Sequence, residues 1–166
     1  MVLRVTSLAS GSSGNALLVQ CGPDALLVDC GVSQRAVERQ LRGCGLTPSD
    51  LRGILLTHEH TDHAQCAGPL ARRYGVPVVA NSPTAAALGQ ALDGVALRRL
   101  EVGETCAAGA FEVRSFPVPH DAAAPVGYLI RAGGWCVGIA VDLGSWDSTV
   151  AESLREADLV VLQANH

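Results

Sequence analysis

The sequence contains no lysine: its 12 basic residues are all arginine, set against 16 acidic ones for a net charge of −4. Such a chain is not held to a polyanion by bulk charge alone. No apolar run reaches the roughly 18–20 residues that cross a bilayer. The opening Met1-Val-Leu-Arg-Val also lacks the basic-then-apolar form of a secretory leader. The expectation is a cytoplasmic protein with no membrane partner. CxxC pairs are missing as well. The six cysteines are Cys21, Cys30, Cys44, Cys66, Cys106 and Cys136, and they read as reduced thiols packed as small hydrophobes rather than as a disulfide framework. Cys30 and Cys66 fall close to the motifs below. There is no internal repeat, linker or low-complexity tract. What is present is an apolar fraction of 48% against 17% charged residues, which excludes disorder, over 166 residues, the size of one domain with a real core.

Short β-rich runs alternate with longer Ala/Leu/Arg segments. Strands are expected at 3–7, 16–20 and 25–28 between Gly-rich turns, then at 54–56 and 76–80. Beyond residue 95 they are expected at 98–100, 111–116, 127–131 and 135–141, and a last apolar run at 159–162 reads as a strand inside a sheet. Helices are expected over 33–42, 64–74 (stopped by Gly75) and 83–91 (capped by Ser82 before Pro83), and from about Asp147, where Thr149 and Glu152 have capping-box spacing. Strands with interspersed helices imply a layered α/β or α+β domain over 1–166.

Three of the five histidines fall within six residues, in Thr57-His58-Glu59-His60-Thr61-Asp62-His63, directly after a buried strand. In extended chain, residues two apart point the same way, so His58 and His60 can grip one ion. Asp62 and His63 lie where the chain turns into a helix and can serve a second ion. Imidazole with carboxylate suits Zn²⁺, or Mn²⁺ and Fe where carboxylates weigh more. The bland alternative is three histidines on a solvated loop. His120 follows a strand stopped by Pro117, where two prolines preclude ladder pairing. Alone it is an ordinary surface histidine; beside HxHxDH it is the third ligand of the first ion. Asp142 ends the apolar run from Cys136, and a bare buried carboxylate is costly, so it reads as the bridge between two ions. Asp29 has the same strand-then-carboxylate form and reads as a ligand-orienting acceptor, or as a cap or turn residue. Ser10-Gly-Ser-Ser-Gly-Asn15 is either a hairpin turn or a set of donors to phosphate, with Ser12, Ser13 and Asn15 as candidates. Arg35, Arg39 and Arg42 share one helical face, either a solvated one or a phosphate track.

The motifs together resemble the metallo-β-lactamase-fold hydrolases, most closely their YycJ/WalJ group. The resemblance rests on Leu8-Ala-Ser-Gly-Ser-Ser-Gly-Asn15, Leu27-Val-Asp-Cys-Gly31, Leu55-Leu-Thr-His-Glu-His-Thr-Asp-His63, Phe116-Pro-Val-Pro-His-Asp121, Val141-Asp-Leu-Gly144 and Leu162-Gln-Ala-Asn-His166. It implies an α+β fold, an αββα sandwich with the metals at one edge. It implies two divalent ions, with His58, His60 and His120 on one, Asp62 and His63 on the other, and Asp142 between them. It also implies an exonuclease-like phosphodiesterase acting on nucleic acid through a metal-activated hydroxide, with Asp62 orienting the nucleophile or taking its proton. Two departures stand out. Gln163 replaces an acidic residue of the family pattern, and the chain stops before a late Gly-His that completes the second metal site. The expectation is a chain truncated at its C-terminus, with an incomplete second sheet, or one in which His166 substitutes. The rival functions are hydrolysis of a small thioester, lactone or cyclic phosphodiester on the same fold, and a catalytically silent metal-binding fragment.

Overall fold

The structure, a computed structural model, describes residues 1–164. Two sheets pack face to face. The first runs β1 (Leu3–Ala9), β2 (Ala16–Cys21), β3 (Asp24–Val28), β4 (Leu51–Leu55), β5 (Val78–Ala80) and β6 (Leu97–Arg99) in spatial as in chain order. β1 to β3 form an antiparallel meander; β3 to β6 are parallel. Parallel neighbours need crossovers. These are supplied by α1 (Gln34–Gly43), then α2 (Thr61–Ala64) and α3 (Ala67–Tyr74), then α4 (Ser82–Leu88). The second sheet has the order β11 (Leu159–Ala164), β10 (Trp135–Leu143), β9 (Val126–Ala132), β8 (Phe111–Pro117), β7 (Thr105–Ala108), with α5 (Ser148–Leu154) on the β10-to-β11 crossover.

Strand periodicity sorts the apolar residues into three cores. Along β3, Ala25 and Leu27 face the helices, while Leu26 and Val28 face the other sheet. Along β10, Val137, Ile139 and Val141 point into the space between the sheets, and Cys136 and Ala140 pack with α5. The result is a four-layer αββα sandwich, as the resemblance implied. α1 follows its sequence closely: Ser33 caps it, accepting from the Ala36 N–H, Val37 and Leu41 are buried, and Arg35, Arg39 and Arg42 are exposed. Two contacts pin the sheets together just before the histidine motif. The buried Tyr128 hydroxyl donates to the Leu56 carbonyl at 2.6 Å, and the Val126 N–H donates to the Thr57 carbonyl at 3.0 Å.

Several local expectations are corrected. The helix read over 64–74 is two helices, because the Cys66 N–H is taken by the Cys30 carbonyl at 2.9 Å instead of by the preceding turn. α4 is capped by Asn81, which accepts from the Thr84 N–H, because Ser82 is engaged by Glu101; only a 3₁₀ turn follows at 89–92. Asp147 itself caps α5, accepting from the Val150 N–H at 2.9 Å. Pro117 does not interrupt the ladder: it pairs with Val126, and β7 flanks β8 only up to Arg114, so the missing N–H withholds nothing there. The short strand β7 has no apolar signature and escapes the sequence reading. Among the described residues β11 is the outer strand of its sheet, and Leu159, Val160 and Leu162 are exposed on it, in keeping with the incomplete second sheet expected.

Candidate metal centre

The C-terminal ends of β3, β4, β8 and β10 meet at one edge, and the ionisable residues gather there. β4 leads through buried Leu56 and Thr57 to buried His58. His60 precedes α2, which carries Asp62 and His63 in its single turn. From the second sheet, the chain leaving β8 brings His120, and β10 brings Asp142. The loop segments are fastened to one another: the Asp29 N–H donates to Leu55 O, Gly144 N–H to Pro119 O, and Ala123 N–H to the Glu59 carboxylate, all at 2.8 Å. Among the described residues, Asp29 and Asp142 are the non-glycine residues with positive φ, at 60° and 52°. Left-handed backbone is uncommon outside glycine, though aspartate tolerates it, and it marks positions over-determined by their surroundings. The same turn aims both carboxylates into the edge.

Two ligand sets result. His58, His60 and His120 present one nitrogen each, all within 4.8 Å of one another, and His58, His63 and Asp142 form a second set of the same compactness. His120 Nε2 lies 3.4 Å from His60 Nδ1. Asp142 Oδ2 lies 2.8 Å from His63 Nε2, 3.4 Å from His58 Nε2 and 3.7 Å from His120 Nε2, so it stands between the sets. Asp62 Oδ2 is 3.5 Å from His63 Nε2, with the Asp62 side chain about one-third exposed at the mouth.

Hydrogen bonding fixes how two of the rings point. Thr57 Oγ1 has one proton and donates it to Asp29 Oδ2 at 2.8 Å. It therefore accepts from His58 Nδ1 at 2.9 Å, which leaves a lone pair on His58 Nε2. That nitrogen is buried and makes no hydrogen bond. Burial, then the neighbouring His63, His60 and His120, push the His58 pKa down to about 3, so it is neutral near pH 7. His63 Nδ1 lies 2.7 Å from Asp29 Oδ2, which aims Nε2 at Asp142. Burial lowers the His63 pKa, but the bond and charge of Asp29, with Asp142 and Asp62, outweigh it, and the net shift is upward. Asp29 is raised in turn, as burial exceeds the His63 and Thr57 hydrogen bonds. A bare buried imidazole nitrogen beside converging carboxylates is the donor set of a divalent cation. The residues present fit a divalent cation at this edge; the second compact set joins His58 to His63 and Asp142, with Asp62 beside it.

The other named residues fall out unevenly. Asp29 orients His63 and Thr57 and lies behind the ligands. Asn15 is buried rather than open to solvent: it closes its own loop through Gly11, and its amide nitrogen stands 3.3 Å from Asp62 Oδ2 and 3.1 Å from His63 Nε2. Ser12 and Ser13 are exposed on the same loop. Gln163 donates to Asn15 Oδ1 at 3.3 Å. His166 lies outside the described residues. Sequence reasoning missed Thr57, which sets the His58 tautomer, and Glu59, which holds the loop after His120. The signal available was their place inside the motif.

An αββα sandwich with paired imidazole and carboxylate ligand sets at one edge defines a metallo-β-lactamase fold. The chain belongs to the beta-lactamase superfamily, whose domain model matches residues 17–166. It is 36% identical to the exodeoxyribonuclease YycJ of Bacillus anthracis and 35% identical to the exodeoxyribonuclease WalJ of Streptococcus pneumoniae serotype 2. Those alignments span 100% and 98% of the chain but 64% and 62% of the relatives, so the chain covers under two thirds of their length. Among solved structures it resembles the metallo-beta-lactamase fold protein YhfI of Bacillus subtilis, with a TM-score of 0.77 and 23% identity over 95% of this chain and 69% of that one. It also resembles Zn²⁺-bound PqqB of Methylobacterium extorquens, with a TM-score of 0.78 and 16% identity over 96% of this chain and 72% of that one. Both show the fold. Among the described residues no helix is long and apolar enough to cross a membrane.

Proposed function

We propose that this protein is a metal-dependent phosphodiesterase that cleaves nucleic acid, binding two divalent ions at the His58–His60–His120 and Asp62–His63–Asp142 positions. The observation that carries the reading is Asp142 Oδ2, which lies within 3.7 Å of one nitrogen on each of His58, His63 and His120. When bound there, paired cations lower the pKa of water toward neutrality and offset charge on phosphoryl oxygens. The chain's own groups do the rest. His58 offers a lone pair without shedding a proton. Asp29 holds the His63 ring in one orientation. Asp62, the half-buried carboxylate at the mouth, is placed to orient an attacking water or accept its proton. Among the described residues no serine or cysteine is paired with a free histidine as a nucleophile, since every described histidine points into the metal edge. The exodeoxyribonuclease relatives support a nucleic-acid substrate over a small ester.

The test is a paired assay of the purified protein with Mn²⁺ or Zn²⁺. Single-stranded DNA and an aryl phosphodiester should both turn over, and Asp142→Ala should abolish both activities. Turnover of a thioester or lactone without any phosphodiester cleavage would move the protein to small-ester hydrolysis. Two bound ions with no turnover of either class would make it a silent metal-binding domain.

A further inference from the structure

We propose that Cys30 and Cys66 are a redox-active dithiol that closes to a disulfide under hydrogen peroxide and, in closing, loosens the His63 side of the metal centre.

Both thiols lie directly behind that centre. Cys30 follows Asp29 and is fully buried; Cys66 stands at the N-terminal cap of α3 and is 5% exposed. The Cys66 N–H donates to the Cys30 carbonyl at 2.9 Å. That bond holds the two backbones in direct contact, and a disulfide needs α-carbons only about 4.4–6.8 Å apart. The two side chains are buried in the same apolar cluster, and each bears on the other's ionisation, Cys30 being pushed up and Cys66 down. Buried cysteines ordinarily serve as small hydrophobes and need no such partner. Cys21 and Cys136 fit that ordinary role, one in the core between the sheets and one under α5.

The chemistry balances with peroxide as the named oxidant. Cys66, the more accessible sulfur, attacks a peroxide oxygen and breaks the O–O bond. This gives a sulfenic acid on Cys66, and the departing hydroxide takes up the Cys66 proton as water. The Cys30 sulfur then attacks the Cys66 sulfur and expels the sulfenic oxygen, which leaves as a second water with the Cys30 proton. Two thiols are oxidised by two electrons, and one peroxide is reduced to two waters.

Closure has a mechanical consequence that rests on the metal reading above. Two unbonded thiols must draw together by more than about 1 Å to reach the S–S distance of about 2.05 Å. Cys30 cannot shift alone. Its N–H donates to the His63 carbonyl at 2.6 Å, and its chain neighbour Asp29 grips His63 Nδ1 at 2.7 Å. The His60 and His120 rings have no contact with this strap among the described residues. His58 is tied to it only at one remove, through Thr57 and Asp29, so oxidation should weaken the Asp62–His63–Asp142 position more than the three-histidine position.

The experiment treats the metal-free protein with hydrogen peroxide, alkylates the remaining thiols and digests after arginine. Cys30 and Cys66 are released on residues 5–35 and 53–72. The expected product is a cross-link between these peptides at Cys30, reversed by dithiothreitol, while Cys30→Ser leaves a Cys66 sulfenic acid trappable by dimedone. Zn²⁺ titration of the oxidised protein should show one site at least tenfold weaker and the other weakened distinctly less. Cys30 and Cys66 remaining fully alkylatable after peroxide, or a cross-link through Cys21, would overturn the dithiol. A Cys30–Cys66 disulfide with both zinc affinities unchanged would overturn the coupling. A disulfide in a protein that binds no zinc in either state would overturn the coupling and the metal reading while leaving the dithiol in place.

Discussion

At the scale of single residues, the metal edge is a chain of hydrogen bonds in which each donor is committed. Asp29 holds Thr57 and His63, and Thr57 sets the His58 ring. His63 has a raised pKa and His58 one near 3, so the two positions differ in how they meet a cation. Below its raised pKa, His63 carries a proton that a metal must displace; above it, none. Metal uptake at the His63 position should therefore release a proton when the pH lies below that raised pKa, and its apparent affinity should fall as pH drops through it. Calorimetric titration in buffers of different ionisation enthalpy reads the proton count. A buffer-independent heat for both ions would contradict the assignment. Asn15 completes the set. Its amide is turned to Asp62 and His63, so Asn15→Ala should weaken the second ion by about 10–100-fold, the usual cost of losing a ligand-orienting partner, and leave the first unchanged. Were the loop only a phosphate clamp, the same change would raise KM for a phosphodiester and leave both metal affinities intact.

Among the elements, the strands were largely legible because burial repeats every two residues, and the motif was legible because three histidines in six residues have few other uses. Harder to read was anything set by contacts distant in sequence. The break between α2 and α3 comes from Cys30, 36 positions earlier, and the Asn81 cap prevails because Glu101 has captured Ser82. β7 is short and only partly buried, so no pattern announces it. The close seating of the strap at 29–31 on α2 was equally invisible. A β-carbon built on Gly31 would stand 1.6 Å from the Asp62 carbonyl oxygen, a contact that only glycine permits. Gly31→Ala should thus displace α2 and cost about 2–4 kcal/mol of stability, with loss of second-ion binding, measured by urea unfolding and metal titration. Gly43→Ala is the control: it ends α1 with nothing within 4 Å of the added carbon, and should be neutral or stabilising by up to about 1 kcal/mol. Equal effects of the two changes would mean that the strap tolerates displacement.

Over the whole molecule, the ligands come from both halves of the sandwich. His58, His60, Asp62 and His63 belong to the first sheet's crossover, whereas His120 and Asp142 leave β8 and β10 of the second. Near this edge, Tyr128 to Leu56 and Val126 to Thr57 are direct hydrogen bonds between the halves. A cation held by His58, His60 and His120 would fasten them again. Ligand that binds only the folded state at about 1,000 times its Kd adds about 4 kcal/mol of stability. At about 2–4 °C per kcal/mol for a domain near this size, the melting temperature should rise by roughly 8–16 °C between chelated and Zn²⁺-saturated protein. His120→Ala removes the second sheet's imidazole and should abolish most of that rise while changing the chelated melting temperature little, since His120 is only half-buried in a loop. His60→Ala should do the same from the other side of the ion. A melting temperature indifferent to chelator, or a rise undiminished in both variants, would show that no cation joins the two sheets here and would remove the basis for a metal-dependent hydrolase.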